Sequence, residues 1–209
     1  MPQLTGQAGP QLQAAGAQNV PVRVDAYGAM VMSGLRGRYA ELAARGQVFS
    51  SYVSAVATSL AATATIGNMV WNPPGSGVRL ELLRWQSAIV ATSATCTGIA
   101  IAGGYQTTTP TTTTAATTQG STRIAAPTLA TGRAIAYSIA TVLAAPIIIK
   151  PLHHNTAAIA ITGVDMLVGD FDGMITVEEG GFVTMCALGA AAAATGHTSA
   201  LVWAELPTR

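Results

Sequence analysis

The most regular pattern of apolar and polar positions lies between residues 78 and 82, which read Val-Arg-Leu-Glu-Leu. Strict alternation of this kind predicts a β-strand with one buried face. The preceding stretch, Asn72–Gly77, contains two prolines and two glycines. It predicts a turn, because proline restricts φ and glycine allows positive φ. A turn followed by a half-buried strand favours a β-rich fold.

Further short apolar runs, rich in β-branched and aromatic residues, recur along the chain with turn residues between most of them. Many short strands at regular spacing are typical of an all-β sandwich or barrel. Beyond the strand at 78–82, we predict strands at Val48–Val53, Met69–Trp71, Thr97–Ile101, Ala134–Val142, Ile147–Lys150, Ala157–Thr162, Met174–Glu178, Phe182–Leu188 and Ala200–Glu205.

The start of the chain has a different character. Met1–Gln18 is rich in Gly, Gln and Ala without periodicity, so we expect a flexible arm, and it lacks the features of a secretory signal. Helical spacing predicts one short helix over Arg36–Arg45, with Gly46 as its C-cap. We therefore divide the chain into an arm with a short helix (1–46) and a β-sandwich domain (47–209).

A low-complexity, threonine-rich segment spans Gly104–Gly120. Threonine disfavours helix, and a proline interrupts the run, so we expect an exposed loop between two strands. Its uncharged hydroxyl groups can contact solvent, a neighbouring subunit or a glycan. As interface candidates in this segment we single out Thr107, Thr112 and Thr117.

Composition limits the classes of function. The 209 residues are 50% hydrophobic and only 9% charged, with a formal net charge of +1, whereas a typical soluble domain is about 25% charged. Low charge predicts a subunit whose surface is largely buried in contacts. No basic stretch suits nucleic acid, and no uncharged run resembles a membrane-spanning helix of about 20 residues.

The best candidate for a cation site is an acidic group, Asp165, Asp170, Asp172 and Glu178. Asp170-Phe171-Asp172-Gly173 is similar to the start of a calcium loop, but Met174 interrupts the ladder of oxygen ligands. A turn before a strand explains the Asp-Gly pair equally well. We therefore expect no metal ion here.

The remaining chemical groups do not form a catalytic pattern. His153 and His154 are adjacent and would point to opposite faces of a strand, and His197 is expected in a turn. Cys96 and Cys186 are far apart in sequence and are expected to be small buried hydrophobic residues. No nucleophile elbow or phosphate-binding loop is present, so we expect neither an enzyme nor a cofactor.

The three tryptophans are expected mainly in the core. Trp85, however, is separated from the charged Arg79 and Glu81 by an even number of positions. In an unbroken strand this places Trp85 on the outer face. We therefore add Trp85 to the interface candidates.

Four stretches carry a resemblance to a known class of proteins: Gly46–Phe49, Trp71–Gly77, Asp172–Gly180 and Leu201–Pro207. Their order resembles that in β-sandwich virion proteins of tailed bacteriophages, of the jelly-roll kind found in head decoration (cement) proteins, fibres and tail accessories. Glu179-Gly180-Gly181 stands where such folds usually have a Pro-Gly turn. The resemblance implies a jelly-roll-like sandwich and a symmetric oligomer, often a trimer, bound to a particle.

The resulting expectation is a non-enzymatic structural protein of a phage virion that decorates the capsid. Its partners would be copies of itself, in a trimer, and another virion protein such as the major capsid protein. A tail or head-fibre component is the alternative within this class. A receptor- or glycan-binding module and a hydrolase using the acidic group are the alternatives outside it.

Overall fold

The computed structural model describes residues 39–208 apart from 58, 61–63, 92–97, 117, 124–130, 155–165 and 189–195. The following predictions lie outside the described residues: the arm at Met1–Gln18, Cys96, Thr117, Asp165 and the strand at Ala157–Thr162. Residues Glu41–Arg209 form one compact unit. This unit contains all the strands described below.

One short helix, α1 (Ala40–Ala44), precedes the first strand. Gly46 ends it as predicted, with a φ of 72° that glycine adopts without steric cost. Its N–H donates to the Ala43 carbonyl (3.0 Å), and the N–H of Gln47 donates to that of Leu42 (2.9 Å). These two bonds form a Schellman motif, which satisfies carbonyls that the helix itself leaves unpaired.

The described residues contain twelve strands, and they confirm the prediction of an all-β sandwich. The strands are β1 (Val48–Ala57), β2 (Ser59–Leu60), β3 (Ala64–Trp71), β4 (Val78–Ala91), β5 (Gly98–Tyr105), β6 (Thr111–Ala115), β7 (Thr118–Ser121), β8 (Ile135–Thr141), β9 (Ile147–His154), β10 (Met166–Val177), β11 (Gly181–Leu188) and β12 (Gly196–Pro207).

Eight of these strands have the connectivity of a jelly roll. The first sheet contains β1-β12-β4-β10 and the second β3-β11-β5-β9, and each neighbouring pair is antiparallel. Along the chain, successive strands of this set change sheets at every step except from β5 to β9. Two antiparallel sheets connected in this way are the double Greek key of a jelly roll.

Of the remaining four strands, the short β2 pairs with β3, and β6, β7 and β8 form an insertion between β5 and β9. β7 extends the first sheet beside β1, whereas β8 and then β6 extend the second sheet beside β3. We call this lateral side of the sandwich the insertion side. On the opposite side, β9 and β10 are the edge strands of the two sheets and contact each other; we call it the open side.

The insertion corrects the prediction for the threonine-rich segment. The expected loop contains two strands, β6 and β7, one in each sheet. The reason is that threonine is β-branched and favours extended backbone, and that Pro110 precedes β6 without interrupting a ladder. The expected exposure holds for Thr111, Thr113 and Thr114.

The main core lies between the two sheets, where β-branched, leucine and aromatic side chains from both sheets meet. Phe49 and Trp203 stack with ring centroids 6.3 Å apart. Burial of these side chains supplies the main stabilising free energy, because apolar surface removed from water is the dominant favourable contribution to folding. The core includes Val70, Leu80, Leu82, Trp85, Ile99, Ile101, Phe171, Val183, Met185 and Leu201.

Trp85 lies in this core with 0% exposure, so its predicted place on the outer face is wrong. The cause is a β-bulge in β4. Leu82 and Arg84 pair with consecutive residues of β12, which leaves Leu83 as an extra residue. One extra residue reverses the alternation of the strand, and Trp85 therefore joins Leu80 and Leu82 inside the sandwich.

The second sheet is also apolar on its other face. Met69, Trp71, Tyr137 and Phe182 are buried in a second cluster, and the Trp71 indole donates to the Gln106 carbonyl (3.2 Å). Burial raises the pKa of Tyr137. Gln106, directly after β5, therefore stabilises the face of the second sheet that is turned away from the main core.

Candidate functional site

Of the acidic group considered as a cation site, Asp170, Asp172 and Glu178 lie within the described residues. Asp170 pairs with Arg84 across β10 and β4 at 3.4 Å, and both side chains are about half exposed or more. Asp172 lies in a bulge of β10 with a φ of 51°, and Glu178 is exposed in the turn after β10. Among the described residues, no three His, Cys, Asp or Glu side chains converge on a metal position.

The neighbouring Glu179 has a structural role that the sequence did not indicate. Its carboxylate accepts the N–H groups of Gly75 (2.8 Å) and Gly77 (2.9 Å). These donors belong to the turn between β3 and β4, which is distant in sequence from Glu179. Glu179 therefore joins two turns at one end of the sandwich.

Asn72 completes this junction from the inside. Its buried side-chain amide donates to the carbonyls of Val78 (2.8 Å) and Val177 (3.1 Å), and its side-chain oxygen accepts from the Ser76 hydroxyl (2.7 Å). Its backbone exchanges bonds with Gly180 and Gly181. The predicted turn at Asn72–Gly77 is thus confirmed, and buried hydrogen bonds fix it in place.

A second carboxylate, Glu205 of β12, is buried beside the insertion. It accepts the backbone N–H groups of Arg133 (2.8 and 3.0 Å) and Ala134 (3.0 Å), and the indole N–H of Trp203 (3.3 Å). A side chain at Gly132 would collide with the Glu205 carboxylate, so the close approach requires glycine. Glu205 therefore ties the chain that enters β8 to the last strand.

The histidines do not form a described site. His153 and His154 are consecutive residues of β9, which continues four residues beyond the predicted end of the strand at Lys150. His197 lies in β12 rather than in a turn, because the predicted strand at Ala200–Glu205 begins four residues earlier. Cys186 is a free, buried thiol, as predicted, and burial raises its pKa to about 12.

Two of the three threonine candidates, Thr107 and Thr112, lie within the described residues, between β5 and β8. Thr107 is exposed in the segment before β6, and Thr112 lies within β6. The buried Gln106 fixes this segment. Its side-chain amide donates to the Thr108 carbonyl (2.7 Å) and accepts from the Leu143 N–H (2.9 Å). Beside it is a shallow hollow of about 250 Å³, lined by Gln106, Thr108, Thr109, Thr111, Thr141, Val142 and Leu143.

The two edge strands β9 and β10 carry several exposed apolar side chains, which the sequence analysis did not identify. Ile147, Ile148 and Ile149 of β9 are 74%, 42% and 48% exposed, and Val168 and Met174 of β10 are 42% and 75% exposed. Three consecutive isoleucines were visible in the sequence. They predict a strand but not its position, because a one-dimensional pattern does not reveal which strand forms a sheet edge.

Two charged side chains of β9 and β10, Lys150 and Asp170, interact with other residues of the same chain. The Lys150 ammonium lies over the Phe171 ring, 5.3 Å from its centroid, a cation–π geometry. Asp170 is paired with Arg84. Sheet edges are usually protected by charged side chains that face solvent. On the described residues of β9 and β10, Lys150 and Asp170 instead interact within the chain, next to the exposed isoleucines.

No protein-family model, curated protein or solved structure matches this chain. Within the described residues, no helix has the length and apolar character needed to span a membrane. The functional argument therefore depends on the fold and on the surfaces described above.

Proposed function

We propose that this chain is a non-enzymatic structural protein of a phage virion, and that it decorates the capsid surface. In this proposal it forms a trimer and binds another virion protein such as the major capsid protein, without direct contact with nucleic acid or membrane. The proposal brings together the sequence resemblance to phage virion proteins and the jelly-roll connectivity of the two sheets.

The observation that carries the proposal is how three polar side chains of the chain are used. Glu179 joins two turns, Glu205 ties the insertion to the last strand, and Asn72 donates to carbonyls of β4 and β10. The hydrogen-bond partners of these groups all belong to the chain itself. Such an arrangement favours a rigid building block that presents preformed surfaces.

Composition supports the same proposal. Only 9% of the residues are charged, and apolar side chains are exposed along the open side. Exposed apolar patches rimmed by polar residues mark interaction sites in soluble proteins. A subunit that works in a larger particle covers such surfaces by assembly.

The test is the copy number of the chain in purified particles, measured by quantitative mass spectrometry against the major shell protein. A ratio near one, or a simple fraction of one, is the expected result for a decoration protein. A small fixed number per particle would replace decoration with a tail or head-fibre role. Absence from particles would overturn the structural proposal.

A glycan- or receptor-binding module is the second candidate, and the hollow beside β6 favours it. Its lining offers hydroxyl and amide groups next to the exposed Leu143. If it binds a glycan, alanine at both Thr109 and Thr111 should abolish binding on a glycan array. The matched control is Thr176→Ala, which removes an exposed threonine of β10 outside the hollow. Unchanged binding in the double variant would exclude the hollow.

A further inference from the structure

The outer face of the first sheet, which is turned away from the main core, contains a shallow hollow of about 220 Å³. The strand registers place Tyr52, Ala200 and Gln86 side by side on the neighbouring strands β1, β12 and β4. Tyr52 and Gln86 are therefore two strand spacings, roughly 10 Å, apart at their Cα atoms. Because the alanine between them carries only a methyl group, the two longer side chains form the walls of the hollow. We call it the Tyr52 hollow.

The side chains of the Tyr52 hollow stand on the solvent side of the sheet. Tyr52 is 40% exposed, whereas its neighbours in β1, Ser51 and Val53, are buried. One step further along the same face, Thr198 of β12 pairs with Ala88 of β4, and both are partly exposed. Small side chains thus form the floor, and a ligand can reach the walls from solvent.

The polar groups of the Tyr52 hollow share one chemical property. The hydroxyls of Tyr52 and Thr198 and the side-chain amide of Gln86 can each donate and accept hydrogen bonds. Anion sites are built mainly from donors and cation sites from oxygen acceptors. Groups that do both instead match the hydroxyls of a ligand, because a hydroxyl also donates and accepts.

The charge around the hollow favours a neutral ligand. Its described lining consists of uncharged residues. In the adjacent row of the same face, Arg84 and Asp170 are opposite each other and form their own ion pair at 3.4 Å. The face of the Tyr52 ring carries partial negative charge, and the C–H groups of a sugar ring pack against such a face. A neutral sugar therefore satisfies both the aromatic wall and the polar groups.

The size of the hollow limits how much of a ligand it holds. Sites for drug-sized ligands measure about 300–1,000 Å³, so a hollow of about 220 Å³ suits a single ring. We propose that the Tyr52 hollow binds one neutral sugar residue of a glycan, stacked on Tyr52 and bonded to Gln86 and Thr198. The inference goes beyond the proposed function, because capsid decoration requires contacts between proteins only. Different residues line the hollow beside β6, so the two sites can be tested separately.

The experiment is saturation-transfer-difference NMR on the purified full-length chain, with glucose, galactose, mannose and N-acetylglucosamine as separate probes. At least one of these sugars is expected to receive saturation from the wild-type chain. Tyr52→Ala removes the stacking ring and Ala200→Leu fills the gap, so each should abolish the transfer. The matched controls are Tyr105→Ala, which removes an exposed tyrosine of the second sheet, and Ala115→Leu, which enlarges an exposed alanine of β6. Both should keep the wild-type transfer.

Circular dichroism and thermal melting establish that each variant folds, and Gln86→Leu, which removes the amide at similar size, should also weaken the transfer. Transfer to none of the four sugars, or transfer that survives in both Tyr52→Ala and Ala200→Leu, would overturn the proposal. Binding of adenosine without binding of any sugar would overturn it in favour of a planar aromatic ligand. Loss of transfer on alanine substitution of both Thr109 and Thr111, with Tyr52→Ala unaffected, would overturn it in favour of the hollow beside β6. The particle copy number is measured separately, so either proposal can fail alone.

Discussion

At the scale of single residues, two glutamates bind backbone N–H groups that lie outside the strands. Glu205 is the more buried of the two, and its three donors come from Arg133, Ala134 and the Trp203 indole. A carboxylate accepts hydrogen bonds at both oxygens, whereas a glutamine must turn an NH₂ group toward some of the same donors. A carboxylate therefore suits these donors better than an amide does.

We predict that Glu205→Gln lowers the free energy of unfolding by about 1–3 kcal/mol, since it leaves buried donors without an acceptor. Chemical denaturation measures the change. Glu81→Gln is the control, because that carboxylate bonds to Arg79 at a partly exposed site and should change stability by at most about 0.5 kcal/mol. Equal effects of the two substitutions would contradict the role given to Glu205.

Buried serines near the same strands fall into two kinds. Ser51 donates to the Asn68 side chain (2.7 Å), whereas the hydroxyl of Ser199 has no partner among the described contacts. We expect Ser199→Ala to be neutral or stabilising and Ser51→Ala to lower the unfolding free energy by about 1 kcal/mol. Denaturant midpoints of the two variants test this. A larger loss in Ser199→Ala would indicate an ordered water on that hydroxyl.

Cys186 illustrates how burial controls reactivity. Its thiol is buried and its pKa is raised to about 12, so at about pH 8 the reactive thiolate is almost absent. In a Cys96→Ser background, we expect no labelling by a thiol reagent in native buffer and one label per chain in denaturant. Rapid labelling of the native protein would show that the thiol is accessible.

At the scale of elements, the alternation of apolar residues was sufficient to predict most of the strands. The proline and glycine positions predicted the turn at Asn72–Gly77 and the cap at Gly46, because both depend on local backbone preferences. The alternation placed Trp85 on the wrong face, because the extra residue at Leu83 has no sequence signal of its own. It treated the threonine-rich segment as a loop, because which strands lie beside it is decided by the tertiary fold.

The same limit applies to candidate sites. The acidic group was close in sequence, but Asp170 and Val177, which precedes Glu178, pair with Arg84 and Leu80 of β4, four positions or on the order of 10 Å apart along that strand. The structural carboxylates were missed because their partners are remote: Glu179 binds Gly75 and Gly77, more than 100 positions away. Long-range hydrogen bonds of this kind cannot be predicted from spacing.

Glu179 offers a test of how the two turns are joined. Glu179→Gln should lower the free energy of unfolding by about 1–2 kcal/mol, because a bond to a charged acceptor is lost. Its neighbour provides the control: Glu178 is exposed, and Glu178→Gln should stay within about 0.5 kcal/mol of the wild type. Thermal and denaturant unfolding compare the two. A larger effect at Glu178 would overturn this assignment.

At the scale of the whole molecule, charge is scarce, and exposed apolar side chains occur on several of the described strands. The self-association proposed above should therefore respond to salt differently from an ionic contact. We predict that the mass of the oligomer is unchanged between about 0.05 M and about 0.5 M sodium chloride, because screening acts on charges and not on apolar packing. Dissociation at the higher salt concentration would indicate an ionic interface instead.

The insertion also has a mechanical consequence. Because β7 pairs with Phe49–Tyr52 of β1 on the side opposite β12, the first half of the strand that follows the N-terminal segment is bonded along both of its edges. A force on that segment, with the far end of the sandwich anchored, would act along β1 and load these hydrogen bonds together, in shear. An edge strand can instead be peeled away one bond at a time. With these anchor points, β1 would therefore resist extraction more than an edge strand does.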